Sequence, residues 1–259
     1  MDTIVLPQGR LEAKWWGPTP DQAPTLVLLH EGLGCVALWR DVPELLSKAT
    51  GCGVFAYSRF GYGGSDPKPL PWGPDYMHRE ALEVLPLVLD KAGVRRAVMI
   101  GHSDGGSIAA IHAGATNDDR ILGIVTLAAH FFVEDMNIAS IEAIRVQYET
   151  TELRSRLARY HRDVDCAFIG WNGGWLDPAF RNFDIAGYLD AIRKPYLGLQ
   201  GTDDPYGTAE QLRILAEHAR FDTETKMIAN AKHSPHLEAK DESIALIADF
   251  VRRKCDPRI

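Results

Sequence analysis

The chain has 259 residues, of which 46% are hydrophobic and 24% charged, and carries a net charge of −7 at neutral pH. That balance excludes disordered and fibrous classes, and the acidic excess gives no electrostatic reason to bind nucleic acid or an anionic membrane surface. The length suits one domain of alternating strands and helices that carries an insertion.

The chain opens with MDTIVLPQGRLEAKWW, which has no cleavage-site pattern of a signal peptide; no run is long and apolar enough to span a membrane. Apolar segments at 4–6 and 11–15 with Gly9 between them predict a hairpin. Residues 25–29 (TLVLL) form a continuous apolar run of the kind found in a strand buried on both faces, and they lead into His30-Glu31-Gly32-Leu33-Gly34. Leu38, Val42, Leu45 and Leu46 predict a helix over 38–49. A second buried strand is expected at 54–57, then a glycine- and proline-rich loop, SRFGYGGSD and beyond, and a helix over 76–91. Strand 97–100 enters Gly101-His102-Ser103-Asp104-Gly105, a small-residue helical pattern leaves it, and residues 121–127 read as another strand. From 131 to 193 the alternation stops: the pattern is helical and rich in aromatics, including Trp171 and Trp175, and reads as an inserted cap on a core of 1–130 and 194–259. Strands return at 196–200 and 225–228, with helices expected at 209–218 and 242–253. This order argues for a mainly parallel central sheet flanked by helices, an α/β class with a helical cap insertion.

The stretch around Ser103 concentrates the chemistry. A strand, a tight turn and a helix would hold the Ser103 hydroxyl above the strand end and point helix N-terminal amides at the same spot. Gly101 and Gly105 relieve the crowding such a turn creates. A serine hydroxyl is a weak nucleophile at neutral pH, so it needs a base and the base needs an orienting acid. Two carboxylates, Asp203 and Asp204, follow strand 196–200, and two histidines, His233 and His236, follow strand 225–228. Strand C-termini are where sites form in such sheets.

His30 with its glycine-rich turn, RFGYGGSD, GHSDGG, GTDDPYG and KHSPHLE, in this order and over nearly the whole chain, resemble the α/β hydrolase superfamily. The resemblance implies Ser103 as nucleophile, Asp204 as the acid and His233 as the base. It also implies oxyanion donors from the amide of Asp104 and from the loop after His30, with Gly32 preferred and Leu33 second. His30 and His102 read as structural. Two departures stand out. Glu31 follows His30 where the family often has glycine, which brings a carboxylate toward the oxyanion loop, with Arg59 as a candidate partner; Ser58 replaces a common Asp, with little catalytic consequence expected.

These features predict a serine hydrolase acting on a small carboxylic ester or related acyl compound. C–C hydrolysis of vinylogous diketones, thioester or lactone hydrolysis, and a ligand receptor on the same scaffold are the competing readings. Neither metal-ligand spacing nor a dinucleotide fingerprint occurs, so no cofactor is expected. Cys35, Cys52, Cys166 and Cys255 are scattered and read as reduced thiols, which points to the cytoplasm. The expected partner is a small-molecule acyl substrate, and a homo-oligomer stays open.

Overall fold

In the computed structural model, which describes residues 2–255, eight strands build one sheet: β1 (Asp2–Leu6), β2 (Gly9–Trp16), β3 (Thr25–Leu29), β4 (Gly53–Tyr57), β5 (Ala97–His102), β6 (Ile121–Leu127), β7 (Tyr196–Gly201) and β8 (Thr223–Ile228). Their spatial order is β1-β2-β4-β3-β5-β6-β7-β8. The β1–β2 and β2–β4 pairings are antiparallel, and the rest are parallel. Every residue of β3, β4 and β5 is buried, because helices cover both faces; β1 alternates buried and exposed positions as an edge strand does. Successive residues of one strand feed opposite cores. Val27 and Leu29 join a cluster with Met99, Ile108 and Ile124, while Leu26 and Leu28 join one with Val125, Ile247 and Phe250.

The first helix, α1 (Val42–Thr50), begins four residues later than the apolar spacing predicts, after a single 3-10 turn at Val36–Trp39. Arg40 takes a left-handed conformation at φ 53°, which breaks the helix, and Pro43 fits only in a first turn. The predicted helix over 76–91 is present as α2 (Tyr76–Arg79) and α3 (Leu85–Lys91), joined by a π-helical turn at Glu80–Val84. Pro86 has no N–H for the regular ladder, and the wider turn absorbs the missing bond. Helix α4 (Asp104–Thr116) is buried from Asp104 through Gly114, so it shows no polar face.

Between β6 and β7 lie α5 (Asp135–Thr150), α6 (Leu153–Leu157), α7 (Val164–Trp175) and α8 (Ala186–Ala191), with no strand of the sheet. Helices α9 (Glu210–His218), α10 (Pro235–Glu238) and α11 (Lys240–Lys254) complete the described chain. No helix of the described residues is long and apolar enough to cross a membrane. Chain connections from β3 run first to β4 on one side, then across to β5 on the other. Such a reversal opens a crevice at the strand C-termini.

Candidate active site

Ser103 stands in that crevice, between β5 and α4, with φ 51° and ψ −119°. A non-glycine residue held there is strained, and it persists because its surroundings leave no alternative. A Cβ on Gly101 would lie 2.2 Å from the Gly105 carbonyl oxygen, and one on Gly105 would lie 2.0 Å from the carbonyl oxygen of Leu29. Glycine at both positions is therefore a steric requirement, as the sequence pattern predicts.

Of the two carboxylates after β7, Asp204 is the one that meets a histidine. His233 Nδ1 lies 2.9 Å from each of its carboxylate oxygens. Gln200 Nε2 donates to Asp204 at 2.6 Å and the Tyr206 amide at 2.8 Å, so the buried carboxylate is held on several sides. Carboxylate oxygens accept, so Nδ1 carries a proton, and in the neutral ring the lone pair is on Nε2. Asp203 is exposed and receives only a 3.2 Å bond from the hydroxyl of Thr202. His236 is buried instead between the rings of His102, 4.6 Å away, and Trp39, 5.1 Å away. Burial, with the charge of His102 adding to it, holds its imidazole well below the usual histidine range.

Ser103, His233, Gly32 and Asp104 line one cavity of about 180 Å³, walled by Trp171, Trp175 and other mostly apolar side chains. The amides of Gly32 and Asp104 donate to no acceptor among the described residues. A larger cavity of about 240 Å³ opens at the opposite, N-terminal ends of the strands, beside Pro24, Cys52 and Arg96, and none of these four residues lines it. Among the described residues no group of three or more His, Cys, Asp or Glu is arranged to hold a metal ion.

The sequence matches the alpha/beta hydrolase family over residues 26–246. The chain belongs to this family. Solved structures share its fold. An alpha/beta hydrolase enzyme from a Medee basin deep-sea metagenome library has a TM-score of 0.79 at 18% identity and covers 100% of both chains. The enol-lactonase from Burkholderia xenovorans has a TM-score of 0.76 at 20% identity over 97% of this chain and 100% of that one. A thermophilic esterase from Thermogutta terrifontis has 0.77 at 17% identity over 98% of each chain. At these identities the likeness is one of fold. No curated protein matches the chain.

In this alpha/beta hydrolase the departure at Glu31 has a different partner from the one the sequence suggests. Arg59 Nη2 donates to the main-chain oxygen of Glu31 at 2.9 Å and lies 3.7 Å from Asp104 Oδ2. The Glu31 carboxylate instead faces His102 Nδ1 at 3.3 Å. His102 Nε2 lies 2.7 Å from the carbonyl oxygen of His233, which can only accept, so Nε2 carries a proton. A neutral His102 would then turn a lone pair toward a carboxylate, so a second proton sits between the two side chains. Burial alone would raise the Glu31 carboxyl and lower His102. The contact between them outweighs it, holding Glu31 at about 2 and raising His102. A charged pair thus lies beneath the hydrolase cavity, pinning the loop of His233 by its main chain.

Several contacts around the site left no pattern in the sequence, whereas His30 takes the structural role expected of it. The Asp104 carboxylate accepts from Tyr76 Oη at 2.6 Å and Trp175 Nε1 at 3.2 Å. His161, between α6 and α7, accepts from the Gly63 amide at Nδ1 and contacts the Leu33 carbonyl through Nε2, both at 3.0 Å. Ser58 accepts from the Val36 amide at 2.9 Å and donates to Glu12 at 2.6 Å, fixing the loop beyond Gly34. His30 is fully buried: Nδ1 donates to the Glu31 carbonyl at 2.7 Å and Nε2 accepts from the Arg59 amide at 3.0 Å, a structural role.

Proposed function

We propose that this alpha/beta hydrolase cleaves a compact carboxylic ester through an acyl-enzyme, with Ser103 as nucleophile, His233 as base and Asp204 as its orienting acid. The observation that carries this reading is the double 2.9 Å contact of His233 Nδ1 with Asp204, in a cavity that also holds the strained Ser103. The Ser103 oxygen attacks the ester carbonyl as its proton passes to His233 Nε2. Negative charge gathers on the carbonyl oxygen, where the unpaired amides of Gly32 and Asp104 receive it. His233 then returns the proton to the departing alkoxide, the C–O bond breaks, and the acyl group stays on Ser103. Water repeats the sequence, giving up its proton to His233 and releasing the acid. A positioned base of this kind contributes a factor of about 10² to 10⁴, and each oxyanion donor about 10² to 10³.

Residues 131–193 are assigned as a cap on the core of 1–130 and 194–259, a reading supported by Ile141, Ile144, Trp171 and Trp175, all from that segment, lining the cavity. The small acyl substrate is the proposed partner, and the cytoplasm the proposed compartment. Four cysteines that are all buried are compatible with a reducing environment. The test is a series of chromogenic acyl esters of rising chain length on wild type and Ser103→Ala, with active-site labelling by a fluorophosphonate. Turnover and labelling should both vanish in the variant. Undiminished ester turnover by Ser103→Ala would refute the mechanism, and labelling without ester turnover would move the substrate to thioesters or diketones.

A further inference from the structure

Two tryptophans stand four residues apart on one face of α7 and both line the cavity, yet their N–H groups have different fates. Trp175 Nε1 donates to the Asp104 carboxylate at 3.2 Å. Trp171 is only 6% exposed, and its N–H meets no acceptor among the described residues. The N–H groups of Trp39 and Trp72, also unpaired among the described residues, are fully buried, whereas Trp171 Nε1 keeps accessible surface in a residue that lines the cavity. In Trp171 that donor is held open toward whatever fills the cavity.

Its position says which part of a ligand it would meet. A Cβ added to Gly32 would lie 1.9 Å from Trp171 Nε1 and 2.4 Å from Cδ1, so the N–H edge of the indole rests directly on the Gly32 backbone. Gly32 does not take a positive φ, so the close approach of this indole is what favours glycine there. The donor therefore sits at the loop that would hold the scissile carbonyl. Helix α7 is capped by Asp163, which accepts from the Cys166 amide at 2.9 Å, and is anchored to the rest of the molecule at two points: Asn172 Nδ2 donates to the Ile141 carbonyl at 3.0 Å, and Trp175 is tied to Asp104. The indole is set before substrate arrives, which is what selective binding needs. Charge narrows the ligand further. Among the described residues no lysine or arginine lines the cavity to pair an anionic group, the Glu31 carboxylate is matched by His102, and Leu33, Ile141 and Ile144 add only apolar wall.

We infer that Trp171 is a specificity-determining donor, whose indole N–H selects compact esters carrying a second, uncharged oxygen acceptor, a ketone or ether oxygen, next to the scissile carbonyl. This rests on the reading of Ser103 as the nucleophile. The structure assigns no such role to Trp175, whose N–H is already spent on Asp104.

The test uses two p-nitrophenyl esters of equal size, the butanoate and the methoxyacetate, which differ in one chain atom. Each is assayed with wild type, Trp171→Phe and Trp171→His, and the quantity read is the ratio of kcat/KM for methoxyacetate to that for butanoate. Comparing this ratio between proteins cancels the greater intrinsic reactivity of the alkoxy ester. Trp171→Phe should lower it about tenfold, the equivalent of about 1.4 kcal/mol, chiefly through a raised KM for methoxyacetate. Trp171→His, which keeps a ring N–H, should recover part of the loss. A ratio unchanged in Trp171→Phe, with folding checked by thermal unfolding and Ser103 still labelled by a fluorophosphonate, would show the indole to be a wall and overturn the inference alone. Failure of wild type both to hydrolyse either ester and to label at Ser103 would overturn the serine-hydrolase reading and this inference with it.

Discussion

The two halves of the cavity are built on opposite terms. The lower half comes from the C-terminal ends of β3, β5, β7 and β8, and the groups that support its Asp204–His233 pair are tied down: Asp204 is held by His233, Gln200 and Tyr206, and the His233 carbonyl by His102. The upper half comes from α5 and α7, is mostly apolar, and leaves one donor, on Trp171, without a partner. Reaction chemistry needs groups that do not reorganise, whereas selectivity needs a surface that is completed only by the right ligand. Lower-half changes should therefore destroy turnover on every substrate, and upper-half changes should re-rank substrates.

The sharpest break of that contrast lies in the lower half. Ser103→Ala should reduce kcat on all esters by about 10⁴-fold or more, and Asp204→Asn by about 10⁴-fold, because an amide no longer orients the His233 proton. Steady-state kinetics on unrelated esters would check that the loss is uniform. Where the halves touch, Tyr76→Phe removes a 2.6 Å donor from the buried Asp104 carboxylate, which also holds Trp175. It should lower stability by about 1 to 3 kcal/mol in urea unfolding, with a shift in substrate ranking that Ser103→Ala cannot produce.

Glu31→Gln probes the charged pair beneath the cavity. Glu31 is lowered on folding from 4.5 to about 2, so its contribution is present above 4.5 and is lost as pH falls toward 2. His102 is raised above 6.5, so its contribution is present below 6.5 and is lost as pH climbs through the raised value. Asp204, His233 and His236 also face His102. The stability advantage of wild type over Glu31→Gln should therefore be largest between pH 4.5 and 6.5 and shrink on either side, as read by thermal unfolding across pH. An advantage independent of pH would contradict the charged pairing. At the bottom of the scale, Arg253→Ala breaks exposed pairs with Glu224 and Asp249 that belong to neither half, and it should leave both Tm and kcat/KM unchanged within error.

The strands and the elbow were legible because their signals are local. Runs such as TLVLL report burial on both faces, and Gly101 and Gly105 report a turn whose crowding lies within five residues. Helix boundaries were less so: Arg40 and Pro43 delayed α1, and Pro86 widened a turn inside the run from 76 to 91. The partners of Asp104, 28 and 71 residues away in sequence, left no pattern at all. Nor did the pairing of Glu31 with His102, which the charge pattern would sooner have given to Arg59.

By itself, then, the amino-acid sequence determined the layered sheet, the strained turn at Ser103 and the order in which a serine, a carboxylate and a histidine follow strand ends. Each of these follows from periodicity or from sterics within a few residues. The family resemblance already favoured Asp204 over Asp203; only the tertiary structure decided that His102 rather than Arg59 answers Glu31, and that of two equivalent-looking tryptophans one is anchored and the other left open. These are contacts between residues far apart in the chain, where distance and the satisfaction of buried polar groups choose among candidates that composition and spacing leave equal.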